Sequence, residues 1–264
     1  PSSMHSEGRL ARSLLDEARS QVATLICCDP DAVLFTSGAT ESNNLAIRGA
    51  AAANPGLTLV SSAVEHASVL ETVTTLASLG ADTITMDVDG QGRPDHAKLG
   101  RLAAASPCLM AFGWANSESG HLADIDRLVG AKGPDCLLHL DAAQAAGRVP
   151  VSMKNGIDTL SLSAHKFGGP RGVGVLAVAG PLRLTAISSG GPQESGLRPG
   201  TENLVGIVGM GLAAELAGRE LQQEGERLGH LRLVLWQRLE RSVADLMRIS
   251  GDGGLPGTLT VALP

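Results

Sequence analysis

Ala32-Val33-Leu34-Phe35-Thr36-Ser37-Gly38-Ala39-Thr40-Glu41-Ser42-Asn43-Asn44 runs from four apolar residues through a polar, Gly-containing stretch into the Ala-rich segment 45–53. A short apolar run bounded by turn residues predicts a buried strand at 32–35, and the alanine and leucine content that follows predicts a helix at 45–53. The polar residues between them read as the connecting turn. Strand, glycine turn and helix in that order are the unit from which a parallel sheet is built.

The same unit recurs in both directions. Strands are expected at 57–60, 82–86, 108–112, 136–140, 159–162 and 173–179, and helices at 6–27, 67–79, 96–105 and 125–131. Apolar strands alternating with helices imply an α/β fold with a mainly parallel sheet covered on both faces, and ligands then bind beyond the carboxyl ends of the strands. From 203 to about 246 the pattern is helical, Gly-rich at first and then charged from Glu215 to Arg241, as for a solvated helix leaving the domain. A loop follows at 250–257, and 258–263 begins a strand. The expected organisation is an N-terminal helix at 1–27, a large domain at 28–218, and a long helix with the start of a smaller unit at 219–264.

At 264 residues the chain can bury a substantial core, since chains near this size hide roughly three quarters of their unfolded surface. The net charge is −6, without a basic run, which argues against nucleic acid as a partner. No apolar stretch approaches the roughly 18 residues of a membrane span, and the start of the chain lacks a secretion signal. Cys27, Cys28, Cys108 and Cys136 lie in or beside apolar segments without metal-type spacing, so buried, reduced thiols in a cytoplasmic protein and no metal site are expected.

Chemistry gathers at the predicted strand ends. Ser37-Gly38-Ala39-Thr40 leads into a helix, where free backbone N–H groups and the helix dipole favour a phosphate. His66 follows the strand at 57–60 and, in a chain without tyrosine, is a candidate to lie flat on an aromatic ring. Asn116 follows the strand at 108–112 and offers both a donor and an acceptor. Asp141 closes the strand 136–140, where a buried carboxylate needs a cationic partner, and Gln144 lies three residues on. Lys166 follows the next strand in Ser163-Ala164-His165-Lys166-Phe167-Gly168-Gly169. A lysine that can condense with an aldehyde, downstream of an acid that can hold a pyridine nitrogen protonated, suits pyridoxal 5'-phosphate (PLP).

At these residues the chain resembles the cysteine desulfurases of the NifS and IscS type, which are PLP enzymes of fold type I in the class V aminotransferase group. The likeness rests on the segment 35–44, Glu65-His66, Asn116 with Glu118 and Gly120, Asp141-Ala142-Ala143-Gln144 and Ser163-Ala164-His165-Lys166. Most specific is Gly190-Gly191-Pro192-Gln193-Glu194-Ser195-Gly196-Leu197-Arg198-Pro199-Gly200-Thr201-Glu202-Asn203, although its proline stands where a polar residue is usual.

The resemblance implies that Lys166 carries the cofactor, with Asp141 on the pyridine nitrogen, Gln144 on the phenolic oxygen and His66 stacked on the ring. Ala39, Thr40, Ser163 and His165 would hold the phosphate, and Asn116 the substrate carboxylate. Thr201 would reach the phosphate of a second subunit in a homodimer. L-Cysteine would yield alanine, its sulfur passing to an enzyme cysteine and on to a sulfur acceptor or iron–sulfur scaffold protein. Selenocysteine lyase, another class V aminotransferase chemistry, or a non-catalytic PLP-binding scaffold are the alternatives. In similar proteins the nucleophilic cysteine and a substrate-gripping arginine follow beyond the position matching Pro264, so residues 1–264 alone are expected to bind PLP without completing sulfur transfer.

Overall fold

A computed structural model describes residues 5–153, 156–180 and 182–263. Residues 1–4 of the expected N-terminal unit and residue 264 of the C-terminal one lie outside the described residues. Seven strands, β1 (Val33–Thr36), β2 (Thr58–Ser62), β3 (Thr83–Met86), β4 (Cys108–Gly113), β5 (Leu137–Asp141), β6 (Thr159–Ser163) and β7 (Gly174–Val178), form one sheet in the order β1-β7-β6-β5-β4-β2-β3. Strands β2 to β6 pair in parallel, while β7 is antiparallel to both β6 and β1. Two reversals cancel, so β1 points the same way as β6. Every carboxyl end except that of β7 therefore meets one edge.

Among the described residues six α-helices pack around the sheet: α1 (Ser6–Leu25), α2 (Ala39–Ala53), α3 (Ala67–Ser78), α4 (His96–Ala105), α5 (Ile125–Ala131) and α6 (Leu204–Ser242). Alternate strand residues face opposite layers. Leu59, Leu109 and Ala111 pack under Ile47 of α2 and Val69 of α3. Val60, Met110, Leu138 and Leu160 face the other layer, with Leu15 of α1, Leu99 of α4 and Leu128 of α5. Each fully buried leucine contributes about 2 kcal/mol from its removal from water. Helices α1 and α6 touch almost backbone to backbone, because a Cβ at Gly211 would lie 2.7 Å from Ala18 Cα. Among the described residues no helix is long and apolar enough to cross a membrane.

Four expectations are corrected. Helix α2 starts at Ala39, six residues before the predicted start, so Thr40 to Asn44 are helical rather than a turn. Their polarity is absorbed by partners across the fold, since Ser42 and Asn43 are buried and both hydrogen-bonded. Cys27 is exposed, not buried. It stands one residue past the cap of α1 at φ 51°, where the amides of Cys27 and Cys28 turn back to Thr24 O and Ala23 O.

The C-terminal strand, expected over 258–263, shrinks to β9 (Val261–Ala262), and it pairs with β8 (Met247–Arg248), a strand that was not expected. The charged half of α6 does not leave alone. Arg232 donates to Leu255 O, the Leu255 side chain sits in the main core, and its amide donates to Gly120 O at 2.7 Å, which returns this tail to the loop after β4.

Candidate active site

The strand ends converge on a cavity of about 710 Å³ lined by Ala39, Thr40, His66, Asn116, Asp141, Gln144, Ser163, His165 and Lys166. Nine of the ten residues expected at a site are thus brought together. Thr201 is the exception. It lies exposed on the segment before α6, outside the cavity lining.

The β1–α2 junction forms one wall. Gly38 precedes α2 without any side-chain cap. The Ser37 amide donates to Glu41 Oε2 at 2.6 Å and the Gly38 amide to Thr36 Oγ1, so the amides of Ala39 and Thr40 and the Thr40 hydroxyl are among the donors left for an anion at this helix start. Ser163 closes the cradle from β6. It reaches Gly38 because β7 between them begins with Gly174, whose missing Cβ would stand 2.5 Å from Gly38 Cα. His165 Nδ1 lies 3.0 Å from Ser163 Oγ, and burial with the charges of Lys166 and Arg171 pushes the imidazole below its ordinary pKa. Arg171 also lines this rim, a cation that the sequence reading did not single out.

Lys166 ends a 3₁₀ turn spanning Ala164–Lys166. The turn is compact because Gly169 has no side chain, since a Cβ there would lie 2.8 Å from the Ala164 Cβ. Asp141 is 8% exposed, and its carboxylate accepts from the Ala143 amide at 2.9 Å and from Asn43 Nδ2 at 2.7 Å. Among the described residues no basic side chain pairs with it directly. Burial raises its pKa, opposed by those two donors and by the charges of His66 and Lys166. A carboxylate held by donors yet short of a cation fits the protonated ring nitrogen of PLP.

His66 caps α3, its Nδ1 accepting from the Ser68 amide. Gln144 Oε1 accepts from Arg148, and Arg148 in turn donates to Lys166 O, so both residues are braced from behind. The amide of Asn116 is engaged in its own turn. Its Oδ1 accepts from the amides of Glu118 and Ser119, and its Nδ2 donates to Val64 O.

Glu65 was quoted in the sequence only as a neighbour of His66, yet it links two strand ends. It accepts from Ser62 Oγ and from the Gly113 amide, each at 2.6 Å, and burial pushes its carboxyl up to about 7. Asn43 was likewise quoted without a role. An acidic or amide side chain in a polar stretch carries no mark of such contacts until the layers are assembled.

These residues fit PLP, with phosphate donors, a flat ring, a buried acid and a lysine around one cavity of suitable size. The class-V aminotransferase family model matches residues 1–243. The chain is 41% identical over 250 residues to a cysteine desulfurase IscS of Dictyoglomus turgidum, a match covering 93% of this chain and 64% of that protein. Among solved structures, a NifS-like protein superposes with a TM-score of 0.95 at 33% identity, covering all of this chain and 74% of the other. A structure described as SspA in complex with cysteine gives a TM-score of 0.86 at 31% identity, covering all of this chain and 75% of the other. The fold is that of fold type I PLP enzymes. With a family model spanning most of its length and IscS and NifS-like relatives on either comparison, the chain belongs to the class-V aminotransferase family, in its cysteine desulfurase branch.

Proposed function

We propose that this chain is the PLP-binding part of a cysteine desulfurase that converts L-cysteine to L-alanine and passes the sulfur to a protein thiol for iron–sulfur cluster assembly or thiolation. The observation that carries this reading is the placing of Lys166 and the buried, cation-poor Asp141 in one cavity with an anion cradle at its edge. The similarity to proteins named cysteine desulfurase selects the substrate.

PLP, when bound, supplies an electron sink for the pair released at the substrate α-carbon. Lys166 Nζ provides the attachment point and moves the α-proton. Asp141 would keep the ring nitrogen protonated, and His66 would lie against the ring. The amides of Ala39 and Thr40, with Ser163 and His165, would hold the phosphate. Gln144 Nε2 would serve the phenolic oxygen, and the remaining N–H of Asn116 the substrate carboxylate.

None of the four cysteines lines the cavity, so sulfur is taken up by a thiol other than these. Thr201, exposed and outside the cavity, would complete the phosphate site of a second copy, and the working protein would then be a homodimer. Residues 219–264 begin a second, smaller unit, a reading supported by exposed Leu231, Leu233 and Leu235 and by the separate β8–β9 hairpin. The free cysteines suit a reducing compartment such as the cytoplasm.

The test is spectroscopic and then chemical. Protein purified with PLP should show a visible absorption band that Lys166→Ala removes. The protein containing these 264 residues should release alanine and sulfide from L-cysteine under reductant. A band that persists in Lys166→Ala would overturn the assignment of the lysine, and alanine release from selenocysteine alone would overturn the substrate.

A further inference from the structure

Asn43 lies in the first turns of α2 with no exposed surface, facing the polar positions of β5. His139 and Asp141 are two residues apart on that strand and so point to the same layer, about 7 Å from one another. A single carboxamide fills the gap. Asn43 Nδ2 donates to Asp141 Oδ2 at 2.7 Å and to Ser68 Oγ at 2.7 Å, and its Oδ1 meets His139 Nε2 at 2.9 Å.

One proton arrangement satisfies the whole set. An amide oxygen only accepts, so His139 carries its proton on Nε2 and accepts at Nδ1 from Thr159 Oγ1, 2.9 Å away. Complete burial pushes His139 down to about 3, so the ring stays neutral and this polarity does not reverse. Along the other arm, Ser68 Oγ accepts from Asn43 and therefore gives its own proton to His66 Nδ1 at 2.8 Å. His66 is left with its proton on Nε2.

Asp141 and His66 are the two residues that the proposed function sets against the cofactor ring, and neither Asn43 nor His139 has a part in that reading. We propose that Asn43 is a positioning residue for PLP, one amide that holds the acid and the imidazole in fixed relation to each other, with neutral His139 fixing the amide's own orientation. The inference rests on PLP being the ligand. Its chemical content is that Asn43 stabilises the ionised form of Asp141 and sets the ring of His66 at once. An apolar residue at 43 would leave Asp141 Oδ2, Ser68 Oγ and His139 Nε2 short of partners in a buried layer.

The probe is PLP itself, with its dissociation constant measured by equilibrium dialysis and the visible band of the bound cofactor titrated with pH. Asn43→Ala should weaken PLP binding about tenfold to a hundredfold, the worth of one hydrogen bond to a charged group. It should also move the pH midpoint of the band upward, because a less stabilised carboxylate holds the ring nitrogen less firmly protonated and the Lys166 nitrogen then keeps its proton to higher pH. Ser68→Ala removes only the hydroxyl link from Asn43 to His66, whose Nδ1 keeps the Ser68 amide, and should leave the pH midpoint in place while weakening binding less than Asn43→Ala does. His139→Leu should behave as Asn43→Ala, and His139→Gln, which restores a donor toward Oδ1, should recover part of the affinity.

A general loss of stability does not produce that contrast. Folded Asn43→Ala with unchanged dissociation constant and unchanged midpoint overturns the inference. If Asn43→Ala does not fold, equal PLP affinity in His139→Leu, His139→Gln and the unmodified protein overturns it. Failure of the unmodified protein to bind PLP overturns the proposed function, and the inference with it.

Discussion

Arg19 of α1 and Glu194 form a bidentate ion pair at 2.8 and 3.0 Å, the carboxylate side chain only 2% exposed. Glu194 also accepts from the Phe35 amide, and the guanidinium lies 4.8 Å above the Phe35 ring. Glu194 and Ser195 both hold positive φ, 44° and 58°, so the pair secures a strained turn at the start of the segment that carries Thr201. A second tether, Arg198 to Glu41 at 3.0 Å, ties the same segment to the first turn of α2.

Removing one member of this pair leaves a buried charge without its partner. Arg19→Ala is expected to lower unfolding stability by about 3–5 kcal/mol, whereas Arg12→Ala, at the exposed pair with Asp16, should cost under about 1 kcal/mol. Urea denaturation of both variants checks this. Similar losses at the two sites would mean that the buried pair does not secure the turn.

Glu65 makes stability pH-dependent. Its folded carboxyl, raised by burial to about 7 from an ordinary 4.5, is protonated where the unfolded one has ionised. The stabilising effect is fully present below about 4.5 and lost as pH rises through about 7, a total of at most about 3 kcal/mol. Glu65→Gln should flatten that fall. The difference in unfolding free energy between variant and unmodified protein, followed from acid to mildly alkaline pH, reads it directly, and a constant difference would refute it.

Gly174→Ala should damage the phosphate cradle. The new Cβ would meet Gly38 Cα at 2.5 Å and Leu162 O at 2.6 Å, both backbone, so neither can rotate away. Overpacking of this kind costs about 1–3 kcal/mol. PLP affinity should drop more than melting temperature does. An unchanged dissociation constant for PLP would show that Gly38 is not held in place by this crossing.

Cys27→Gly should stabilise the protein by about 1 kcal/mol, because position 27 already adopts a left-handed conformation that glycine accepts without steric cost. Thermal unfolding under reductant checks the sign, and a lower midpoint would contradict it.

Much of this was legible in the chain alone. The alternation of short apolar runs with amphipathic segments determined the α/β class, because burial of a strand on both faces requires apolar side chains throughout, and helices 96–105 and 125–131 match the structure residue for residue. The strand-end positions of Lys166, Asp141 and His66 were equally local, since Asp141 closes an apolar run and the other two lie in the short polar turns that follow one. The start of α2 was not, because a polar stretch reads as a turn when its hydrogen-bond partners are out of view.

What only the tertiary structure decided is which polar groups meet. Asn43, Glu65 and Glu194 find their partners on elements distant in sequence, and their contacts follow from strand order, from the two antiparallel pairings of β7 and from the close crossing at Gly174. Sequence periodicity records which way a side chain faces. Whether that face holds a carboxylate, an imidazole or a backbone amide is set by packing across the sheet, and that packing turned a row of separate strand ends into one cavity.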